Sequence, residues 1–101
     1  NSDGSGNRVA AYSYGAGKLI LVAGINKVVP DIGAAFERLR NVAARDECRD
    51  LGVDTPCART GRCDDAACRW PTRQCGKVLI IENEKIRGRI CVILIGEALG
   101  Y

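Results

Sequence analysis

Six cysteines stand in 101 residues that contain no histidine, and four of them, Cys57, Cys63, Cys68 and Cys75, fall in one stretch with gaps of five, four and six residues. Thiols at this density can ligate a metal ion or an iron-sulfur cluster, pair as disulfides, or stay free. None of the gaps is the two-residue spacing that brings both sulfurs of a tight turn to one ion, so all three readings stay open on spacing. The cysteine content falls short of the ~8–10% of a secreted disulfide scaffold, and the apolar strands described below supply a core that needs no staples. A bound metal would have to take an all-sulfur ligand set, with zinc or an iron-sulfur cluster the leading candidates. The missing histidine also removes every Ser-His-Asp or Cys-His relay, leaving a carboxylate, Lys, Tyr or Cys as any base. Arg59, Arg62, Arg69 and Arg73 would partly offset thiolate charge, or simply keep the loop solvated. Cys91 lies in an apolar run and reads as a small buried hydrophobe. Cys48, in a charged segment, reads as a spare ligand or a surface thiol.

A second constellation is Gly24-Ile-Asn-Lys27, which directly follows an apolar strand. Ligands of open α/β sheets gather at the carboxyl ends of strands, and here an amide and a cation stand at such an end just ahead of a helix start. Asn26 and Lys27 are therefore candidate ligand-binding residues; the alternative is that Asn26 supports a turn and Lys27 is solvated. Gly15-Ala-Gly17-Lys18 is no phosphate loop: Tyr12 stands where the first glycine is required, Leu19 replaces the hydroxyl residue, and the motif precedes a strand. Gly4-Ser-Gly6 lacks the third glycine of a dinucleotide fingerprint but could form a backbone nest for an anion, or a plain surface turn.

The elements that must position these residues can be read in outline. Residues 8–14 carry small and β-favouring side chains and suggest a strand. Lys18-Leu-Ile-Leu-Val-Ala-Gly24 is apolar without alternation, the pattern of a strand covered on both faces. Pro30 suits the first turn of a helix and Asp31 its positive end, while Ile32, Ala35, Phe36, Leu39 and Ala43 recur at helical spacing. This predicts a main helix over about 31–44, extended by a charged segment through Leu51 to a stop at Gly52. Residues 53–76 lose periodicity, and so long a stretch without structure of its own must be held by something. Lys77-Val-Leu-Ile-Ile-Glu82 and Arg89-Ile-Cys-Val-Ile-Leu-Ile95 are joined by a connection too short for a parallel crossover, which predicts a C-terminal antiparallel β-hairpin. The fold class is α/β: a partial layered sheet, one main helix and that hairpin, in a single partial domain over 1–101 with a Cys-rich loop at 53–76.

Fifteen Lys and Arg against 12 Asp and Glu give a net charge of +3. The excess is dispersed and lacks the basic stripe with interleaved aromatics of a nucleic-acid surface, so no nucleic-acid partner is expected. No apolar run approaches the ~18–20 residues of a membrane span. The chain opens on Asn1-Ser-Asp-Gly4 with neither an initiating Met nor a signal segment, as a piece of a longer protein would. No acid, base and electrophile can be assembled from residues whose proximity the sequence supports, so the reading stops short of an enzyme.

Four segments, Asp3-Gly-Ser-Gly-Asn-Arg8, Val22-Ala-Gly-Ile-Asn-Lys-Val-Val29, Thr55-Pro-Cys-Ala-Arg-Thr-Gly-Arg-Cys63 and Arg89-Ile-Cys-Val-Ile-Leu-Ile-Gly-Glu-Ala-Leu-Gly-Tyr101, resemble in order the C-terminal half of LUD-domain proteins, the lactate-utilisation family. The resemblance implies a fold similar to ribose-5-phosphate isomerase, glucosamine-6-phosphate deaminase and the CoA transferases, with the N-terminal half of the sheet outside this chain. It implies a cytoplasmic setting and association with the iron-sulfur proteins of bacterial lactate oxidation. It adds Arg8 to Asn26 and Lys27 as residues toward a small anionic molecule such as a phosphate, carboxylate or CoA-like group. The family's loop often has two residues between its second and third cysteines, where this chain has Asp64, Asp65, Ala66 and Ala67. The alternative function is a non-catalytic, metal-stabilised interaction module built on that loop. Unpaired sheet edges further suggest a homodimer.

Overall fold

A computed structural model describes all 101 residues. The chain starts with a short strand, β1 (Ser2–Asp3), followed by a helix, α1 (Asn7–Ala10), that continues as a π-helical turn over Ala11–Gly15. This is not the strand expected over 8–14. The reason lies upstream: the buried Asp3 carboxylate accepts the N–H groups of Gly6 and, at 3.1 Å, Val9, satisfying donors that a helix start leaves free. Gly6 itself sits at φ 94°, a left-handed conformation that favours glycine. Within the Gly4-Ser-Gly6 segment the Gly6 N–H is thus taken by the chain's own Asp3 carboxylate.

Strand β2 (Leu19–Gly24) ends in a 3₁₀ turn over Ile25–Lys27, and a long helical arm follows. Asp31 caps it, its Oδ1 accepting from the Ala34 N–H at 2.8 Å, so Pro30 stands just before the cap rather than in the first turn. The arm runs as α2 (Ile32–Arg38), a π-helical turn (Leu39–Ala43) and α3 (Ala44–Asp50), in line with the expected helix and its charged extension. It stops at Gly52 in a Schellman arrangement: the Gly52 N–H bonds to the Arg49 carbonyl at 3.0 Å and the Val53 N–H to the Cys48 carbonyl at 2.9 Å. Within the cysteine loop, expected to lack structure of its own, lies a further helix, α4 (Pro56–Thr60), capped by the fully buried Thr55.

The predicted C-terminal hairpin does not form. Strand β3 (Lys77–Val78) pairs antiparallel with β1, and β4 (Ile90–Ile95) pairs parallel with β2 from Leu19↔Ile90 to Gly24↔Ile95. Two anchors separate the segments. At one, Asn1 and Leu79 exchange backbone hydrogen bonds and extend the β1–β3 ladder. At the other, the Arg89 guanidinium, buried at the foot of β4, binds Glu84 at 2.7 Å and the carbonyls of Ala16, Tyr12 and Ser13 at 2.9, 2.6 and 3.0 Å. Those carbonyls belong to the segment that leads into β2, so Arg89 sets β4 beside β2.

Only nine of the 101 residues are buried, and the radius of gyration of 14.4 Å exceeds the ~13 Å of a closed domain of this length. The shortfall is in the β2–β4 sheet. Ile20 and Val22 on β2 are exposed, as are Val92, Ile93 and Leu94 on β4, whereas parallel strands are normally covered on both faces. The double coverage expected of β2 is therefore absent from this chain, and Cys91, expected inside, is exposed. Cys48, read as a spare ligand or a surface thiol, is buried, with 2% of its surface exposed. No helix is long and apolar enough to cross a membrane.

Candidate functional site

A cleft of about 520 Å³ opens between the N-terminal segment, one face of the helical arm and the C-terminal tail. Arg8 reaches it from α1, Lys27 from the turn after β2, and Arg38 from the end of α2. None of these three cations makes a salt bridge. The carboxylates that share the cleft are engaged elsewhere. Asp3 holds the start of α1, where burial is outweighed by the Gly6 and Val9 N–H groups together with Arg8 and Lys77, which hold it below the usual carboxylate range. Glu47 accepts from the Tyr101 hydroxyl at 3.2 Å, as Asp50 does at 2.6 Å. The Asp50 carboxylate and its neighbour push the Tyr101 phenol well above its ordinary value, so it remains a neutral donor. The cleft thus combines three cations that make no salt bridge, together with the carboxylates of Asp3 and Glu47 and with Tyr12 and Tyr101 on its walls.

Lys27 and Asn26 do different work. The Lys27 ammonium donates to the Leu99 carbonyl at 2.8 Å and keeps its remaining donors free at the cleft. Asn26 lies outside the lining. Its Nδ2 donates to the Gly100 carbonyl at 2.9 Å and its Oδ1 accepts from the Leu99 N–H at 3.2 Å, so it ties down the tail. The Arg38 Nε in turn donates to the Asn26 carbonyl at 2.8 Å. Gly24 makes this closure feasible: a Cβ there would stand 2.6 Å from both the Glu97 carbonyl oxygen and the Leu99 nitrogen. The glycine ahead of Asn26 serves the passage of the chain's own tail. Arg38 and Tyr101 had no distinguishing signal in the sequence, since a helix-face arginine and a terminal tyrosine acquire a role only through the fold.

Behind the helical arm the thiols gather. Cys48, Cys57 and Cys68 are buried, with Leu19 and Pro56 the other buried apolar side chains, and Cys63 and Cys75 are half-buried. The Thr55 hydroxyl is 3.3 Å from the Cys57 sulfur. Burial pushes the thiols of Cys48, Cys63 and Cys68 up, and in each case the charge of Cys57 and Cys75 adds to it. Arg40 and Arg73 oppose the rise at Cys63 and Cys68 respectively. Among the loop arginines, Arg59 pairs with Asp54 at 2.5 Å and Arg73 with Asp65 at 2.7 Å. No disulfide is formed. No three Cys, Asp or Glu side chains are arranged to hold one metal ion as the chain stands. An all-thiol group of this kind suits a thiophilic cation by chemistry, but ligation requires the loop to tighten.

The two regions meet. Cys75 and Gln74 lie in the cleft wall, and the π-helical turn that contributes Leu39 and Ala43 to the cleft presents the Asn41 Oδ1 to the Cys63 N–H at 2.9 Å.

Among known proteins, the family model described as LUD domain matches residues 1–95. No curated protein and no solved structure shows a significant match. With nearly its whole length inside that match, the chain belongs to the LUD-domain family, which is associated with lactate utilisation.

Proposed function

We propose that the cleft binds a small anionic molecule, a phosphate, carboxylate or CoA-like group, with Arg8 and Lys27 as its direct partners and Asn26 holding the tail that closes the site. The observation that carries this is the convergence of Arg8, Lys27 and Arg38 on one cleft, none of them in a salt bridge. Charge-assisted hydrogen bonds to such an anion are the strong kind. Arg38 would add field while its Nε stays on the Asn26 carbonyl. In this reading the sheet is part of a fold similar to the ribose-5-phosphate isomerase and CoA-transferase group, and the protein works in the cytoplasm beside iron-sulfur proteins of lactate oxidation. Calorimetry with inorganic phosphate, lactate and CoA tests the binding claim. Loss of either cation should weaken binding about 10- to 100-fold, the worth of one charged hydrogen bond. Failure of all three probes to bind, or an unchanged affinity in the Arg8→Ala/Lys27→Ala variant, contradicts it.

A second reading is favoured by the thiol-rich interior: a module that zinc or an iron-sulfur cluster stabilises through Cys57, Cys63, Cys68 and Cys75, presenting its loop to a partner. Elemental analysis of anaerobically purified protein distinguishes it, with about one zinc, or several irons, per chain expected. Metal-free protein that cannot be loaded removes it.

A further inference from the structure

The cleft is larger and more apolar than a bare anion requires. Its volume of about 520 Å³ lies in the ~300–1,000 Å³ range of sites that enclose drug-sized ligands, and nine of its 18 lining residues are hydrophobic. Phosphate or lactate alone would leave that apolar wall against water. The wall has an order. Ala35, Leu39, Ala43 and Leu51 line the cleft in steps of four or eight residues along the helical arm, the spacing that stacks side chains on one face. Val29 adds to the wall from ahead of the arm. Glu47 is the one charged member of that register, and the Tyr101 hydroxyl donates to it at 3.2 Å.

The two ends of the stripe differ in charge. Arg38 stands between Ala35 and Leu39 in sequence, and its 2.8 Å bond to the Asn26 carbonyl draws the turn carrying Lys27 to the same end. Glu47 lies about 13–14 Å further along the arm at the helical rise of ~1.5 Å per residue, with Asp50 just beyond it. Residues 99–101 join the two ends: the Lys27 ammonium holds the Leu99 carbonyl, while the Tyr101 hydroxyl reaches Glu47 and Asp50. An anionic head is therefore attracted to the first end and repelled from the second, and Leu39 and Ala43 lie between them. We infer that the anion carries an aliphatic chain, its head on Arg8 and Lys27 and its chain along Ala35, Leu39 and Ala43; this rests on the anion-binding reading proposed above. A medium-chain carboxylate suits the cleft better than phosphate or lactate.

Calorimetry on the full chain with butyrate, hexanoate and octanoate tests this. A buried methylene is worth up to about fourfold in affinity, and in a cleft open on one side at least about twofold is expected, so octanoate should bind at least about 15-fold tighter than butyrate. Octanol, which lacks the charge, and octylamine, which reverses it, should each bind at least about tenfold more weakly than octanoate. Arg8→Ala/Lys27→Ala should weaken all three acids by a similar factor and keep the gain per methylene, whereas Leu39→Ser should flatten that gain. Amide shifts with octanoate should centre on Lys27 and residues 35–43. Shifts centred instead on the exposed strands at 19–24 and 90–95, or octylamine binding as tightly as octanoate, overturn the inference. Equal affinity for the three acids overturns it and leaves the anion reading intact; no binding of phosphate or of any acid removes both.

Discussion

At the scale of residues, the buried charges of this chain are anchors. Arg89 spends its guanidinium on one carboxylate and three carbonyls from a distant segment. Arg89→Leu leaves those acceptors without a donor, and breaking a buried pair from one side costs about 3–5 kcal/mol. Chemical denaturation of the variant should show at least that loss; a change below about 1 kcal/mol would contradict the anchoring role. Acid acts on the same class of contact. Asp3, Asp46, Asp65 and Glu84 are all held below their ordinary range: Asp46 and Asp65 first by hydrogen bonds from Arg45 and Arg73, and Glu84 first by the Ile86 N–H and then Arg89. Their folded pKa values lie below the unfolded ones, so their contribution is complete above about pH 4 and is lost as pH falls through the folded values. Thermal melts should therefore be steady from pH 7 to 5 and fall steeply below about pH 4. Stability that rises on acidification would reverse the sign. Thiol reagents should modify Cys91 first in the native state, and Cys48, Cys57 and Cys68 only on unfolding, because Cys91 alone is exposed.

At the scale of elements, what could be read from the sequence was local. The helical arm was legible because its apolar spacing, the Asp31 cap and the Gly52 stop all act within a few residues. The helix at residues 7–15 was not, because its start depends on the Asp3 carboxylate, and Val9 and the tyrosines gave the segment a strand-like composition. The hairpin failed for a related reason: the short connection was correct arithmetic, but Arg89 and the Asn1–Leu79 exchange send the two strands to different partners. The strand-end rule brought Asn26 and Lys27 forward, and the fold sorts them into a tail clamp and a cleft cation. Gly24→Ala probes that closure. Its Cβ would press on two backbone atoms of the tail, and overpacking of this kind costs about 1–3 kcal/mol. The variant should lose that stability and show displaced amide resonances over residues 97–101; native resonances there would mean that the tail does not pass as described.

At the scale of the whole molecule, an open apolar sheet and a thiol-rich interior define what the chain lacks and what it holds. Ile20 and Val22 with Val92 and Leu94 leave both faces of the β2–β4 pair exposed. Val22→Lys with Val92→Lys should therefore reduce dye binding to apolar surface while changing stability by no more than about 1 kcal/mol, as exposed positions do. A large loss of stability would show those side chains to be packed. The cleft is the other whole-molecule feature, since its three cations come from three separate elements and meet only in the folded chain. Titration of isotope-labelled protein with inorganic phosphate, followed by amide shifts, tests that convergence most directly. Saturable shifts centred on residues 2–4 and 8, Lys27, Arg38 and Tyr101, abolished in Arg8→Ala/Lys27→Ala, are the expected result. Shifts confined to the cysteine loop, or none at millimolar phosphate, would contradict an anion site in the cleft.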